Sequence, residues 1–317
     1  MTEKKTFCII LCVSDVLDFF EPQIRSIAQS DEKKFLIISL DCFNDISTPR
    51  IKEIVSRYFN DDEVIYYQGP KKGFMANFMF ASRQALSLEP FDYYAFCDQD
   101  DIWKKTKLSR AKNAISSVSA SPELYSSSTL LIDENDNPIR PHKTQPVDTF
   151  AKSLVENVSP GNTMVFNSAA IEQLTKLDEH DVMYHEWWLF ILTQQNGKAV
   201  FDTEPQVLYR QHAQNTIGSG GGWKNKVLSS FRRSRYYDSI SRNIEAILRN
   251  ELPLSSENKK ILSHFSKIYS LNPLQRLLGL WLSGVKRSNM PDTVFFYLLV
   301  LLAPGLKEIR ARYNFTP

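Results

Sequence analysis

Along the first third of the chain the apolar residues come in short unbroken runs: Phe7 to Val13, Phe35 to Leu40, Val64 to Tyr67 and Tyr93 to Cys97. Runs of this length bounded by polar residues read as strands buried on both faces. Between them, Phe19 to Gln29, Ile51 to Phe59 and Phe74 to Leu88 carry apolar residues at helical spacing. Ser47, Thr48 and Pro49 supply the second of these helices with an N-cap and a first-turn proline. Strand and helix in alternation predict right-handed βαβ units, hence an α/β fold with a mostly parallel sheet and helices on both faces. Ligands of such sheets sit beyond the carboxyl ends of the strands. Asp41 and Asp98 each follow a strand directly, so both are placed for a ligand rather than for the core.

Beyond residue 120 the pattern is mixed. Leu124 to Ile132, a polar DENDNP segment and Ile139 predict an edge hairpin. Thr163 to Phe166, Ala199 to Phe201 and Gln206 to Tyr209 read as short strands, and Glu186 to Gln195 as a helix. The run Gly218 to Gly222 (GSGGG) has the composition of a hinge. The expected organisation is therefore one domain over residues 1–217, a hinge at 218–222, and an appended helical region over 223–317.

Charge follows the same division. The total of 38 Lys plus Arg against 36 Asp plus Glu gives only +2, but Trp223 onward holds 16 basic and 6 acidic residues, a net of +10. The residues before it hold 22 basic and 30 acidic, a net of −8. With 43% hydrophobic residues, 11 Gly and 15 Pro, collagen-like and wholly disordered chains are excluded. Cys8, Cys12, Cys42 and Cys97 lie in or beside apolar runs, without the spacing of a disulfide framework or zinc site, so a reducing cytoplasm is expected. The apolar part of the N-terminus is too short for a signal peptide. The longest apolar run, Val294 to Ala303, is about half the ~20 residues of a membrane span. Leu274 to Val285 and Val294 to Leu302 nevertheless lie beside Lys286, Arg287, Lys307, Arg310 and Arg312. That pattern suits either an interfacial helix on an anionic leaflet or a helical packing subdomain. The interleaved Leu and Phe suit a membrane surface better than nucleic acid.

The sharpest chemical signal is Phe96 to Trp103, FCDQDDIW. Three carboxylates within four positions repel one another, and hard oxygen ligands at a strand end select Mg²⁺ or Mn²⁺. A solvated acidic loop is the alternative, weakened by the aromatic residues on both sides.

This block, followed by Lys107 and Leu108, resembles the inverting, nucleotide-sugar-dependent glycosyltransferases of family 2, especially the rhamnosyltransferase-like branch of bacterial polysaccharide synthesis. Gly73 to Phe78 (GFMANF), Ser159 to Asn167 (SPGNTMVFN) and Tyr184 to Trp188 (YHEWW) resemble further blocks of that branch in order, as do Asp202, Pro205, Leu208 to His212 (LYRQH), Asn215 and Gly218. The resemblance covers roughly residues 5 to 220 and implies a GT-A fold, with Asp98 and Asp100 holding Mg²⁺ or Mn²⁺ and the donor diphosphate. It implies that Asp41 binds the nucleotide, with Lys72, Gly73, Asn77, Gln99, Arg210 and His212 completing the nucleotide-sugar site. Glu186 falls where the family places a carboxylate base, which takes the proton of the acceptor hydroxyl as it attacks. Gly161, Asn162, Thr163, His185, Trp187 and Trp188 would form the acceptor side. Alternatively, His185 and Glu186 cap a helix and both tryptophans are core. The segment Leu40 to Asp45 (LDCFND) departs from the family's D-D-G-S-x-D, leaving Asp41 and Asp45.

The function expected is transfer of a sugar from a nucleotide-diphosphate sugar to a lipid-linked saccharide, by a cytoplasmic enzyme peripheral to the inner face of the cell membrane. The alternative is a degenerate member that binds nucleotide or a partner enzyme without turnover. Nucleotidyl transfer would need a basic glycine-rich loop after the first strand, and Val13 to Phe20 has neither Gly nor Lys.

Overall fold

A computed structural model describes residues 7–302 apart from 45, 89, 143–148, 179–180, 183, 213–238 and 251. Asp45, Asn215, the glycine run at 218–222, Lys307, Arg310 and Arg312 therefore lie outside the described residues.

Four parallel strands, β1 (Phe7–Val13), β2 (Lys34–Leu40), β3 (Val64–Gln68) and β4 (Tyr93–Cys97), stand in the order β3-β2-β1-β4. Their crossovers are α1 (Phe20–Ala28), α2 (Ser47–Ser56) and α3 (Phe74–Ser87). Side chains of β1 alternate between two cores, as the two-residue period of a strand requires. Ile9, Leu11 and Val13 pack with Ile24 and Ile51 of α1 and α2, whereas Cys8, Ile10 and Cys12 pack with Phe78 and Met79 of α3. Burial on both faces explains why β1, β2 and β4 read as unbroken apolar runs, while β3, at the end of the strand order, is only partly buried.

The second half extends the same sheet through β8 (Val165–Asn167), β6 (Glu123–Ile132), β9 (Lys198–Arg210) and β5 (Ile102–Trp103), with β7 (Pro138–His142) paired to β6 as the expected hairpin. One strand, β9, replaces the two short ones expected. Its pairing to β6 jumps from Ser127↔Asp202 to Thr129↔Val207, so four residues of β9 bulge opposite Ser128. Pro205 sits in that bulge, where its missing N–H costs no ladder bond. The short helices α4 (Lys107–Ala114), α5 (Phe150–Ser153) and α6 (Ser168–Thr175) precede α7 (His185–Asn196).

Four helices follow: α8 over 239–249, α9 (Ser256–Phe265), α10 (Pro273–Ser283) and α11 (Met290–Leu302). Ile244, Phe265, Leu280 and Phe296 from these helices share one core with Trp187 and Trp188 of α7. At Gly279 a Cβ would stand 2.6 Å from the His264 carbonyl, so only glycine lets α10 approach α9 this closely. The outer faces are apolar as well: Leu274, Leu277, Leu278 and Trp281 of α10, and Met290, Val294 and Leu298 of α11, are exposed. Among the described residues, no helix is long and apolar enough to cross a membrane.

Candidate active site

The carboxyl ends of β1, β2, β3 and β4 lie along one edge, and Asp41, Lys72, Gly73, Asp98, Gln99 and Asp100 lie on the loops that leave them. Asp41 continues β2, its N–H donating to the Val13 carbonyl at 2.8 Å. Its carboxylate accepts the Lys71 backbone N–H at 2.5 Å and so anchors the turn after β3. Gly69 in that turn is confined: a Cβ would lie 2.8 Å from Asn77 Oδ1 and 2.9 Å from Asp41 Oδ1. Asn77 is buried and faces β2, accepting from the Ser39 hydroxyl at 2.5 Å and donating to the Ser39 carbonyl at 3.3 Å. The amide expected to meet the nucleotide thus fastens α3 to β2. Lys72 and Gly73 are exposed at the start of α3, with Gly73 at φ +91°.

The acidic loop divides its labour. Gln99 turns toward the loop after β1, accepting from the Ser14 N–H at 2.6 Å and donating to the Val16 carbonyl, so it acts as a latch. Asp101 is wholly buried beneath the loop and accepts from Asn162 Nδ2 at 2.5 Å and from the Arg210 N–H at 3.1 Å. Arg210 is buried as well. Its side chain donates to the Asp100 carbonyl at 3.0 Å, to the Asp133 carbonyl and to Asp136, while its guanidinium lies 4.5 Å from the centre of the Phe19 ring. Arg210, expected in the nucleotide-sugar site, therefore clamps the loop's backbone to the β6–β7 turn. Asp98 and Asp100 face the edge. His212 Nε2 lies 2.8 Å from Asp100 Oδ2. Burial, followed by the charges of Asp100 and Glu186, pushes the Asp98 carboxyl up to about 7.

Beneath the loop is a lysine whose role was not foreseen. Lys107 is fully buried, its ammonium 3.3 Å from the centre of the Trp103 ring and donating to the Asn162 carbonyl at 2.7 Å. Burial brings it down to about 7, against the opposing pull of Cys97, Asp101 and Asp98. Lys107 and Asp101 together tie the loop to the turn Gly161–Thr163. Asn162 and Thr163 consequently lie inside, although Asn162 Oδ1 has no hydrogen-bond partner among the described residues.

Glu186 stands in the first turn of α7, where exposed N–H groups favour a carboxylate. Burial nonetheless raises it from 4.5 to about 7. Its Oε2 accepts no hydrogen bond among the described residues. His185 Nδ1 is 3.3 Å away but makes no hydrogen bond to it, and burial holds that imidazole neutral at about 3. His185 stacks on Phe78 with ring centres 4.2 Å apart and meets Phe96 edge-on. Trp187 is buried with its indole N–H on the Ser153 carbonyl at 2.7 Å, and Trp188 is fully enclosed. His185 and both tryptophans are thus core residues rather than an acceptor surface, because α7 is packed on all sides by the sheet, α5 and the C-terminal helices. Gly161 does border the site: a Cβ there would come 3.3 Å from Glu186 Cβ.

The arrangement fits a divalent cation in its donor chemistry. Asp98, Asp100 and the His212 imidazole offer hard oxygen and nitrogen donors of the kind such an ion takes. Among the described residues no three such side chains are already drawn together as a cage. Ser14, Asp15, Gly69 and Lys71 join the site from the loops after β1 and β3. Of these only Gly69 carried a sequence signal, the turn dipeptide Gly69-Pro70.

Residues 8–175 match the glycosyl transferase family 2 model, and the chain belongs to that family. It is 27% identical over 241 residues to the dTDP-rhamnosyl transferase RfbG of Shigella flexneri, covering 72% of this chain and 81% of the relative. Two solved structures share the GT-A fold. S. aureus TarS residues 1–349 in complex with UDP-GlcNAc is 15% identical, with a TM-score of 0.55 over 87% of this chain and 79% of that one. The mannosyltransferase PcManGT of Pyrobaculum calidifontis in complex with GDP-Man and Mn²⁺ is 13% identical, with a TM-score of 0.54 over 99% and 84%.

Proposed function

We propose that this glycosyltransferase moves rhamnose from dTDP-rhamnose, with inversion, to a hydroxyl of a lipid-linked saccharide in cell-surface polysaccharide synthesis. The donor is suggested by the relationship to RfbG. What supports the mechanism is that Asp98 feels the charges of both Asp100 and Glu186, which sets Glu186 near the acidic loop.

Glu186, with an unpartnered oxygen and a carboxyl held at about 7, takes the proton of the acceptor hydroxyl. That oxygen forms its bond to C1 as the bond from C1 to the diphosphate oxygen breaks on the opposite face, and the nucleoside diphosphate departs with the bonding pair. Asp98, Asp100 and His212 would hold Mg²⁺ or Mn²⁺, which supplies charge neutralisation for the leaving diphosphate. Lys107, Asp101 and Arg210 keep the loop rigid, so little reorganisation is needed as charge develops. A single base separates this chemistry from the two-carboxylate hydrolysis of glycosides.

Residues 1–217 would form the catalytic domain, and 223–317 would rest on an anionic membrane surface through the exposed apolar faces of α10 and α11. The test of the reaction is release of nucleoside diphosphate from a panel of UDP, dTDP and GDP sugars with Mn²⁺, with and without saccharide acceptors. Acceptor-dependent release from dTDP-rhamnose is expected. Tight nucleotide binding with no release across the panel would instead favour a binding protein.

A further inference from the structure

The loop after β2, where the chain departs from the family pattern, carries an unusual surface feature. Phe43 is 70% exposed, yet its backbone is fixed: the Asp15 carboxylate accepts the N–H groups of Phe43 at 2.8 Å and Asn44 at 3.2 Å. Those bonds hold the Asp15 carboxyl below its usual range. Lys71 places its ammonium 5.3 Å from the centre of the Phe43 ring. Lys71 is itself held, with its N–H on Asp41 and a left-handed backbone at φ +56° that is rare outside glycine. The backbones that carry the ring and the ammonium are therefore both held by carboxylates, while the ring remains largely open to solvent.

Strand register gives the distance of this ring from the acidic loop. Val13 pairs with Leu40, and Leu11 with Cys97. Asp41 and Asp98 are thus two strands and two residues apart, roughly 12 Å at sheet spacings. That is the scale of a nucleoside between its base and its diphosphate. A diphosphate at Asp98 and Asp100 would carry its base to the Asp41 end, where Phe43 stands. The ring in the loop after β1, Phe19, is already taken up, with the Arg210 guanidinium 4.5 Å from its centre and the His212 ring 5.1 Å away, and the Ser14 N–H and Val16 carbonyl of that loop are engaged with Gln99. Phe74, a second exposed ring, meets His185 edge-on, next in sequence to Glu186.

We propose that Phe43 is the stacking platform for the base of the donor nucleotide, with Lys71 setting the ring's position. The assignment rests on the donor reading above. Any base presents a flat face, so the ring supplies affinity, while discrimination between bases falls to neighbouring polar groups.

The test is calorimetric titration of the full chain with dTDP and, separately, with inorganic pyrophosphate, both with Mg²⁺, for the wild type, Phe43→Ala and Phe43→Trp. Because Phe43 is exposed, neither substitution opens a cavity. Phe43→Ala is expected to weaken dTDP binding about 5- to 100-fold, with Phe43→Trp close to wild type and pyrophosphate binding unchanged in all three. Equal dTDP affinity in wild type and Phe43→Ala would overturn the platform while leaving the donor reading intact. So would a parallel loss of pyrophosphate, which would mark a collapsed loop. Failure of the wild type to bind dTDP or any other nucleoside diphosphate would overturn the donor reading, and the platform with it.

Discussion

Glu186 is stabilised as a carboxylate by the start of α7 and destabilised by burial, and burial is the larger effect. A base held near 7 is half ionised close to neutral pH, which suits proton transfer from a hydroxyl. Glu186→Gln should reduce transfer by at least ~10²-fold while leaving nucleoside diphosphate affinity within about twofold, measured by turnover and calorimetry on the same preparations. The rate should rise with pH through about 7, since the ionised form is the reactive one. Stability should move the other way. The folded-state value lies above the unfolded one, so the native protein binds the extra proton between about 4.5 and 7 and loses stability as pH rises across that window. Above pH 7, Glu186→Gln should be more stable than wild type by on the order of 1–3 kcal/mol, and near pH 4 the two should melt together. Gly161→Ala should also lower turnover, because its methyl would press on Glu186 Cβ from 3.3 Å; retained thermal stability would show that the loss arises at the base.

The loop after β4 depends on neighbouring elements as much as on its own carboxylates. Asp101, Lys107 at the start of α4, Asn162 in the turn before β8 and Arg210 at the end of β9 form one buried network. Asp101→Ala would leave the Asn162 amide and the Arg210 N–H without their acceptor and take one of three acidic neighbours from Lys107. The expected cost is about 3 kcal/mol, visible as a lowered denaturation midpoint at unchanged slope. This network shows where sequence reading stops. The strands β1, β2 and β4 were legible because burial on both faces writes an unbroken apolar run, and α3 because its periodicity is long. The short polar α4 and the bulged β9 were not, since pairing across the sheet decides them. At the site, Asp98 and Asp100 lie on the loop after β4, His212 reaches Asp100, and Glu186 lies in the first turn of α7. Asn77, Gln99, Asn162, His185, Trp187, Trp188 and Arg210 belong to the same motifs but turn inward as latches and core. A motif names residues that occur together without saying which of them faces the ligand.

At the scale of the whole molecule, the near-neutral total of +2 conceals an acidic body and a basic C-terminal region. The C-terminal helices bury one face against α7 and leave Leu274, Leu278 and Trp281 of α10 and Met290, Val294 and Leu298 of α11 in solvent. Exposed apolar patches of this kind mark interaction surfaces. Co-sedimentation should therefore show binding to vesicles containing anionic phospholipid, weakened by salt and lost in a Leu274→Asp, Trp281→Asp double variant. Binding to neither anionic nor neutral vesicles would assign the face to another partner. The central claim is that Glu186, facing the Asp98 and Asp100 loop, is the base of an inverting transfer. Its most direct test is acceptor-dependent dTDP release from dTDP-rhamnose over a panel of alkyl glycosides with Mn²⁺, comparing wild type with Glu186→Gln. Turnover by the wild type to a product of inverted anomeric configuration, absent from Glu186→Gln at unchanged dTDP affinity, is the predicted result. Equal turnover by the two proteins, or a product of retained configuration, would contradict it.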